Sequence, residues 1–367
     1  MIPFFDLKRV IEPHREEIMN EINKVVSSAT FINGSQVGEF ERHCAEYLGV
    51  KHVIGVSSGT DALIASLMAL DLKQGAEVIV TSFTFVATAS SLLRLGLKPV
   101  FVDLEPNSFH PSLEQIKKAW TPHTKAVLFV HLFGEPRDIR DIGDYCKDHG
   151  AHLIEDCAQS FGARFGHNNR HVGTEGICGT HSFFPAKNLG CFGDAGAIAT
   201  NNDALAEKIK MIRNHGCKKK YHYECIGGNF RIDTLQAAIL NILLPHVNLW
   251  IAKRRQNASY YIKHLKNINM LHVPFNNESH TWNQFTLQTP HRDSLKRYLD
   301  TQNIGSAIYY PCPLHRQTIF DATASLPEVE KRCEEALSIP IYPSLQIDER
   351  QRVVNAINSF FNNENKK

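Results

Sequence analysis

The chain has 367 residues, 43% of them hydrophobic and 21% charged, a balance typical of a globular protein that can bury a sizeable core. Its 40 Lys and Arg against 38 Asp and Glu leave a formal net charge of +2, which excludes a strongly basic nucleic-acid binder and an acidic disordered protein. The nine Cys form no CxxC pair, so neither a structural zinc site nor a disulfide scaffold is expected.

Over the first 250 residues, short β-rich runs alternate with helical patterns. Helices are predicted after the SGT of residues 58–60 through Leu70, over about Phe85–Leu95 and over about Ile139–His149. The predicted strands are His52–Ser57, Glu77–Thr81, Lys98–Val102, Ala126–His131 and His152–Asp156, with two further candidates at His181–Phe184 and Ala197–Thr200. Strands that are apolar on both faces and alternate with helices indicate an α/β fold, a mostly parallel sheet covered by helices on both sides.

The pattern changes near residue 245. A long amphipathic helix follows Pro245, and after it come short strands at Gln284–Gln288 and Ala307–Tyr309 and a final helix over about Asp348–Phe361. We therefore predict a large domain over residues 1–245 and a smaller C-terminal α+β domain over residues 246–367.

The N-terminal segment has an acid at Asp6 and no long apolar stretch, so it lacks the pattern of a signal peptide. The longest near-apolar run, Leu63–Leu70, is far shorter than the roughly 20 residues that cross a bilayer. We therefore expect a cytoplasmic protein with neither a membrane nor a nucleic acid as its partner.

Two common nucleotide motifs are absent from the sequence: a G-x-G-x-x-G after an early strand, and a G-x-x-x-x-G-K-[ST] anywhere. The glycines at Gly190, Gly193 and Gly196 have a different spacing and come late in the chain. A nicotinamide dehydrogenase and a P-loop NTPase are therefore disfavoured.

Two segments that follow predicted strands could carry chemistry. Ser57–Asp61 lies between a strand and a helix, where free N–H groups, a glycine and hydroxyls can hold a phosphate, although the same residues also make an ordinary N-cap. Glu155 and Asp156 end a buried strand, and ligands of open α/β sheets bind beyond such ends. A helix cap is the alternative there, and no metal site is expected because no His lies at ligand spacing.

Two later segments also offer reactive or binding groups. Lys187 stands in SFFPAKNLG, a turn with aromatics and glycines, where a low dielectric would lower the pKa of the amine and favour a Schiff base. An exposed loop lysine is the alternative. Asn229 and Arg231 in GGNFRID offer donors to a phosphate or carboxylate, the alternative being a turn before a buried helix.

The order of these segments favours a pyridoxal phosphate site. The phosphate of that cofactor needs a helix N-terminus, its pyridine nitrogen needs a carboxylate and its aldehyde needs a lysine. Ser57–Asp61, Asp156 and Lys187 supply these groups in that order on a parallel sheet. Phe85 in SFTFVAT is placed to cover the face of the ring.

The motifs that contain these residues resemble the DegT/DnrJ/EryC1/StrS sugar aminotransferases, which are pyridoxal phosphate enzymes of fold type I. The resemblance covers nearly the whole chain through PFFDL, SSGTDAL, SFTFVATA, IEDCAQSFGA, SFFPAKNLGCFGDAGAI, RNHG, GGNFRIDTLQAAIL, YYPCPLH and IPIYPSL. It implies a fold type I transferase with pyridoxal 5'-phosphate as its cofactor. Three positions depart from the commoner pattern, namely Ser58, Ala195 and Tyr309, and the last leaves the identity of the substrate open.

The resemblance also implies roles for the matching residues. Lys187 would be the Schiff-base lysine and the general acid and base, and Asp156 would pair with the pyridinium nitrogen. The other cofactor contacts would be Gln159 at the phenolic oxygen, Phe85 on the ring, and Gly59, Thr60 and Ser182 at the phosphate. Asn229 would reach the phosphate from the neighbouring subunit, which implies a homodimer with shared active sites. The substrate would face Arg231, Tyr309, Tyr310 and His315.

The reaction implied by the resemblance moves an amino group from glutamate to a nucleotide-linked keto sugar. The motifs are most similar to enzymes that act at C3, and nearest to those that aminate UDP-2-acetamido-2-deoxy-3-oxo-glucuronate for surface polysaccharides such as the O-antigen of lipopolysaccharide. One alternative is a dTDP-3-keto-6-deoxyhexose aminotransferase. Another is a non-catalytic regulatory or binding protein, which would be expected to lack Lys187 or Asp156.

Overall fold

Three helices precede the first strand in the computed structural model, which describes residues 1–275, 277–320 and 322–364. They are α1 (Leu7–Ile11), α2 (Arg15–Ser28) and α3 (Ser35–Leu48), with a 3-10 turn at Glu12–His14 between the first two. The apolar faces of α2 and α3, which include Ile18 and Phe40, are buried against the large domain. No element was predicted in this region.

The next part of the chain alternates strands and helices as predicted. The elements are β1 (His52–Val56), α4 (Gly59–Ala69), β2 (Glu77–Thr81), α5 (Val86–Arg94), β3 (Lys98–Val102), α6 (Leu113–Ala119), β4 (Thr124–Val130), a 3-10 turn at Leu132–Gly134, α7 (Arg140–Asp148), β5 (His152–Asp156), β6 (Cys178–Ser182), β7 (Gly196–Thr200) and α8 (Asp203–Arg213). The strand expected at His181–Phe184 instead spans Cys178–Ser182. Its start was not predicted because its first residues have little β propensity.

The seven strands form one sheet in the order β1-β7-β6-β5-β4-β2-β3. All neighbouring pairs are parallel except those of β7, which runs antiparallel to both β1 and β6. Its central strands are buried along their length, as expected for a sheet with helices on both faces. The predicted α/β fold with a mostly parallel sheet is confirmed.

After α8, a small hairpin leads into the long helices. Strands β8 (Cys217–Lys219) and β9 (His222–Tyr223) precede α9 (Thr234–Leu243), a 3-10 turn at Leu244–His246 that contains Pro245, and α10 (Val247–Leu265). The run Thr234–Leu265 has the length and apolar composition of a membrane span, and half of its most apolar window is buried within the fold. Core helices pass the same test, so this run is weak evidence for a span.

The C-terminal part contains β10 (Phe285–Gln288), α11 (Arg292–Thr301), a 3-10 turn at Leu314–Arg316, α12 (Pro327–Glu335), β11 (Ala336–Ile339) and α13 (Ile347–Glu364). Strands β10 and β11 pair antiparallel. The strand predicted at Ala307–Tyr309 was wrong, since only Ala307 forms a bridge, with Ser338. The chain then turns away toward the cavity described below, where Tyr309 and Tyr310 line the wall.

Two hydrophobic clusters include residues of this C-terminal part. One unites α10, α11, α13, β10 and β11 around Tyr261, Phe285 and Leu299, and also holds Ile2. The other is the core of the large sheet, and Val329 and Cys333 of α12 belong to it. The C-terminal part therefore packs on the sheet as well as on itself, and the domain boundary at residue 245 stays a prediction.

Candidate active site

A cavity of about 480 Å³ lies beyond the carboxyl ends of the parallel strands. It is lined by residues from the ends of β4, β5 and β6 and from the starts of α4 and α5. The predicted residues that it brings together are Gly59, Thr60, Phe85, Asp156, Gln159, Ser182, Lys187, Tyr309 and Tyr310. Open α/β sheets bind ligands at this edge, so the cavity is the candidate active site.

Asp156 ends β5 and is 4% exposed. Its Oδ1 accepts a hydrogen bond from Ala158 N at 3.1 Å and its Oδ2 accepts one from the Thr88 hydroxyl at 2.9 Å. Burial raises the pKa of this carboxyl, against the effect of those hydrogen bonds and of Lys187. A buried carboxyl of this kind favours a cationic partner in the cavity. Thr88 was missed by the sequence reading, although it lies in the SFTFVATA motif.

Glu155 points to the other side of the strand and has a structural role. Its two oxygens accept from the His131 ring Nε2 at 3.0 Å and from the backbone N–H groups of Gly173, Glu175 and Gly176. Burial alone would raise the pKa of the Glu155 carboxyl, but these donors outweigh burial, and the net pKa lies below the usual value. His131, Glu155 and Cys157 bring ligand-type atoms within 4.8 Å of one another, yet the carboxylate is already used by four donors. The group therefore anchors the loop of residues 173–176.

Lys187 lies in the turn after β6, where its backbone N–H donates to Phe184 O at 2.9 Å. Burial lowers the pKa of its amine from 10.5 to about 8, and the nearby Asp156 only partly opposes this shift. At pH 7 the amine is therefore neutral in about a tenth of the molecules, far more than for an ordinary lysine, and the neutral form is the one that attacks an aldehyde.

The start of α4 forms a cradle for an anion. Ser58 is the N-cap, and both serine hydroxyls before the helix donate to Asp61 Oδ2, from Ser57 at 2.6 Å and from Ser58 at 3.1 Å. The first-turn N–H groups of Gly59 and Thr60 have no partner within the helix and point along its axis. A Cβ on Gly59 would lie 2.7 Å from the Cβ of Ser182, so only glycine leaves room for this approach.

Gln159 is held by hydrogen bonds at both ends of its amide. Its Oε1 accepts from Phe133 N at 2.9 Å, and its Nε2 donates to the Tyr310 hydroxyl at 3.1 Å. Phe133 has a φ of 59°, a left-handed conformation that is uncommon for this residue type. The turn after β4 thus holds the oxygen end of the Gln159 amide, so that the Nε2 end presents its N–H donors to the cavity.

Three predicted site residues lie outside the cavity of their own chain. Asn229 is exposed and forms a bridge with Asn214, and Arg231 Nη1 donates to Asn214 Oδ1 at 2.8 Å. His315 is buried, with Nδ1 2.8 Å from Ser82 Oγ and Nε2 3.1 Å from Glu330 Oε1. Their roles toward phosphate and substrate stay predictions.

Asn283 and Gln284 line the cavity and were not predicted. They stand in HTWNQF, between α10 and β10, and no local pattern distinguishes this segment from an ordinary loop. Phe184 also lines the cavity and is 51% exposed. Such apolar exposure at a cavity mouth favours a surface that another chain covers.

The groups in the cavity fit pyridoxal phosphate. The α4 cradle, sized by Gly59 and Ser182, suits a phosphate; the buried Asp156 carboxylate suits a protonated ring nitrogen; and Lys187 offers an amine of lowered pKa. The model of the DegT/DnrJ/EryC1/StrS aminotransferase family matches residues 13–358. The chain belongs to this family. It is a pyridoxal phosphate-dependent sugar aminotransferase of fold type I.

Curated relatives and solved structures match the chain over nearly its full length. It is 42% identical to a pleiotropic regulatory protein of Geobacillus stearothermophilus, with 98% of both chains covered. It is 40% identical to the UDP-N-acetyl-3-dehydro-α-D-glucosamine 3-aminotransferase of Acidithiobacillus ferrooxidans, with 97% of both covered. The structure of DesV from S. venezuelae superposes with a TM-score of 0.95 at 36% identity, covering 98% of each chain.

Relatives at similar identity have names that differ in nucleotide and sugar. A UDP-2-acetamido-2-deoxy-3-oxo-D-glucuronate aminotransferase of Pseudomonas aeruginosa is 39% identical, with 94% of this chain and 96% of the relative covered. A dTDP-3-amino-3,4,6-trideoxy-α-D-glucose transaminase of Streptomyces venezuelae is 38% identical, with 97% and 95% covered. The enzyme therefore acts in the biosynthesis of nucleotide amino sugars.

Proposed function

We propose that this enzyme transfers the amino group of glutamate to C3 of a UDP-linked 2-acetamido-3-keto-uronic acid, for the synthesis of a surface polysaccharide such as an O-antigen. The observation that carries the proposal is that two relatives, matched over 94–97% of this chain, are named for UDP-linked 3-keto-2-acetamido sugars. We also propose that it works in the cytoplasm as a homodimer.

Pyridoxal phosphate, when bound, supplies an electron sink for the carbon whose proton is removed. Lys187 Nζ takes that proton and returns it, since a pKa of about 8 lets one amine act as both base and acid near neutral pH. The Asp156 carboxylate holds the proton on the ring nitrogen, with Thr88 and Ala158 N–H fixing its orientation. The Gln159 amide donates toward the ring, and α4 holds the phosphate.

Two features of the surface support the homodimer. Phe85, Phe184 and Phe192 are 55%, 51% and 40% exposed, and the first two line the mouth of the cavity. Asn229 is exposed and lies outside the cavity of its own chain. A second subunit that covers the aromatic mouth and brings Asn229 to the phosphate would account for both features.

A sugar with a neutral group at C6 is the alternative to the uronate as the substrate. Among the described residues that line the cavity, Lys187 is the sole cation, and no arginine is present. A uronate carboxylate in this cavity therefore needs a cation from the second subunit, and Arg231 is the candidate because it lies two residues after Asn229. Without that contribution the cavity favours a substrate with a neutral group at C6.

The substrate can be identified by a single-turnover experiment. The pyridoxamine form of the enzyme is mixed with UDP-2-acetamido-3-keto-glucuronate, its neutral C6 alcohol and a dTDP-3-keto-6-deoxyhexose, and the return of the pyridoxal absorbance is followed. The proposal expects the highest kcat/KM for the uronate. A preference for the alcohol overturns the uronate assignment, and a preference for the dTDP sugar overturns the UDP assignment as well.

Arg231→Met tests the source of the cation. It should lower kcat/KM for the uronate by about 2–4 kcal/mol, roughly 30- to 1,000-fold, and affect the neutral sugar much less. Arg297→Met removes an exposed arginine that contacts Ser294 and should leave both values unchanged. Equal losses on both sugars from Arg231→Met would show that Arg231 has only a structural role, through its hydrogen bond to Asn214.

A further inference from the structure

The segment of residues 281–284 brings a buried amide to the wall of the cavity. Asn283 lines the cavity and is 4% exposed, and its Oδ1 is buried without a hydrogen-bond partner among the residues that the structure describes. A buried polar atom left unpaired carries a desolvation penalty, so such atoms normally have a hydrogen-bond partner. Asn283 borders the space in which the substrate binds, so a bound molecule that draws the amide toward the cavity would supply the missing partner.

The backbone that carries Asn283 is held in an unusual conformation. Trp282, the preceding residue, has a φ of 52° and is 1% exposed. Its backbone N–H donates to His280 Nδ1 at 2.8 Å, and the two rings stack with their centroids 3.8 Å apart. Non-glycine residues persist in this region only where their surroundings enforce it, and they cluster at ligand-binding sites.

A buried arginine fixes the same segment. Arg254 is 2% exposed and forms no ion pair within the described part of the chain; its Nη1 donates to Trp282 O at 3.0 Å and to Asn283 O at 3.5 Å. Burial lowers its pKa to about 10, which leaves it charged at neutral pH. A charged guanidinium thus binds the carbonyl oxygens of Trp282 and Asn283, one on each side of the Asn283 Cα.

The segment also docks on the turn that orients Gln159. Thr281 N donates to Gly134 O at 3.0 Å, and Gln284 N donates to Phe133 O at 3.2 Å. Gly134 has a φ of 95°, and a Cβ there would lie 2.3 Å from Thr281 Oγ1. Because Phe133 N–H in turn binds Gln159, the Asn283 amide is positioned relative to the cofactor side of the cavity.

We propose that the side-chain amide of Asn283 binds an N–H or O–H donor on the sugar ring of the substrate and so acts as a specificity-determining residue. The inference rests on the proposed function in that the acceptor is a nucleotide-linked keto sugar. The unpaired atom is an acceptor. The carboxylates of glutamate only accept, and its α-amino group is the group that reacts at the cofactor. The donor therefore comes from the sugar, either the acetamido N–H at C2 or a ring hydroxyl.

The two half-reactions of the holoenzyme separate this role from a structural one. With Asn283→Ala we expect the glutamate half-reaction to stay within about 3-fold of wild type, while the keto-sugar half-reaction loses 10- to 100-fold, mostly as a higher apparent KM. Asn283→Asp, which keeps the acceptor, should recover part of the loss. The visible spectrum of the bound cofactor should be unchanged in both variants. Asn267→Ala, at an exposed asparagine of the C-terminal part, is the matched control.

Equal losses in both half-reactions, a shifted cofactor spectrum or no loss in either half-reaction would overturn the proposal. The variants are measured with whichever nucleotide keto sugar the wild type converts best, so a wrong substrate in the proposed function leaves this test intact. Comparing a 2-acetamido with a 2-deoxy acceptor, which has no donor at C2, then identifies the donor. A loss confined to the acetamido sugar assigns its N–H, and equal losses on the two sugars assign a ring hydroxyl.

Discussion

At the scale of single residues, Lys187 and Asp156 show which electrostatic effect dominates the cavity. Each carries a charge that stabilises the other, yet burial lowers the pKa of the lysine and raises that of the aspartate. Desolvation thus outweighs the attraction within the pair and moves both groups toward their neutral forms. A positive ring nitrogen beside Asp156 would counteract the raised pKa of that carboxyl. An aldehyde beside Lys187 would react with the neutral amine that the lowered pKa of the lysine favours.

The lowered pKa of Lys187 predicts how the cofactor-free enzyme takes up pyridoxal phosphate. Only the neutral amine reacts, so the uptake rate should rise with pH and level off above about 8, instead of rising on toward the 10.5 of a free lysine. Stopped-flow absorbance between pH 6 and 10 measures the midpoint. Borohydride reduction should then attach the cofactor permanently to the Lys187 peptide.

Asp156→Asn is the companion variant. Removing the carboxylate removes an effect that raises the pKa of Lys187, so the midpoint of uptake should move to lower pH. Transamination should fall by more than about tenfold, or 1.4 kcal/mol, because an amide does not hold a proton on the ring nitrogen. Asp148→Asn, on an exposed part of α7, is the control. A label on another lysine, or full activity in Asp156→Asn, would contradict these roles.

At the scale of secondary structure elements, the phosphate cradle depends on how closely α4 approaches the end of β6. Gly59 begins α4 and Ser182 ends β6, and no Cβ fits between them without a shift. Gly196 at the start of β7 permits a second close approach, since a Cβ there would lie 2.4 Å from Ser58 O. Two glycines in different elements thus set the width of one anion site.

Gly59→Ala should therefore weaken cofactor binding without unfolding the protein. We expect at least a tenfold higher Kd for pyridoxal phosphate in a spectroscopic titration, because the helix N-terminus must move away from Ser182. Gly38→Ala is the matched control, since a Cβ on that residue of α3 would meet nothing within 4 Å. Equal affinity in the two variants would mean that the phosphate does not use this cradle.

The elements also show what local sequence could predict. Strands rich in Val and Ile, such as β2 and β4, were found because burial on both faces leaves a continuous apolar run. Strand β6 was misplaced because it begins with Cys178 and Gly179, and its extension depends on neighbours β5 and β7. A single bridge at Ala307 likewise did not extend into a strand.

The same limit applies to the site. The positions of Asp156 and Lys187 in the cavity could be predicted because a carboxylate at the end of a strand and a lysine in a glycine-rich turn are local patterns with a chemical meaning. Asn283 could not, since its position depends on Arg254 and on the Phe133–Gly134 turn, which are 29 and about 150 residues away. Asn229, Arg231 and His315 matched motifs, but a single chain places none of them in the cavity.

At the scale of the whole molecule, the sharing of the site between subunits can be tested by complementation. If Asn229 serves the cavity of its partner, mixing inactive Lys187→Ala protomers with inactive Asn229→Ala protomers should give heterodimers with one intact site. After verified exchange of equal amounts, about half of the dimers are heterodimers, so we expect up to about a half of wild-type activity per heterodimer and about a quarter in the mixture. An absence of recovery would place Asn229 in its own site or outside any site.

Buried histidines predict a loss of stability in acid. Burial lowers the pKa of His171 and His181 to about 4 and that of His280 to about 3. Because these values lie below the 6.5 of an unfolded chain, the unfolded state binds more protons once the pH falls below 6.5, and stability decreases from there down to about pH 4. Each such histidine contributes about 1.4 kcal/mol per pH unit in that range.

His181→Gln should therefore flatten the pH dependence of the free energy of unfolding between pH 6.5 and 5. Neither ring nitrogen of His181 has a partner among the described residues, so no hydrogen bond in that set is lost. Denaturant titrations at several pH values measure the slope, and His123→Gln, at an exposed histidine, is the control. Parallel slopes in His181→Gln and wild type would show that other groups cause the acid sensitivity.

The strand order has a thermodynamic consequence for the unloaded enzyme. The residues proposed to hold the phosphate, the ring and the aldehyde follow β1, β5 and β6, so they meet only after β7 has been inserted, antiparallel, between β1 and β6. An unfolded or partly folded chain has no such assembly, and binding is linked by mass action to the native state alone. Every tenfold rise in free cofactor above its Kd then adds about 1.4 kcal/mol to the free energy of unfolding. The concentration of free cofactor therefore governs how well the chain resists proteolysis, as well as how fast it turns over.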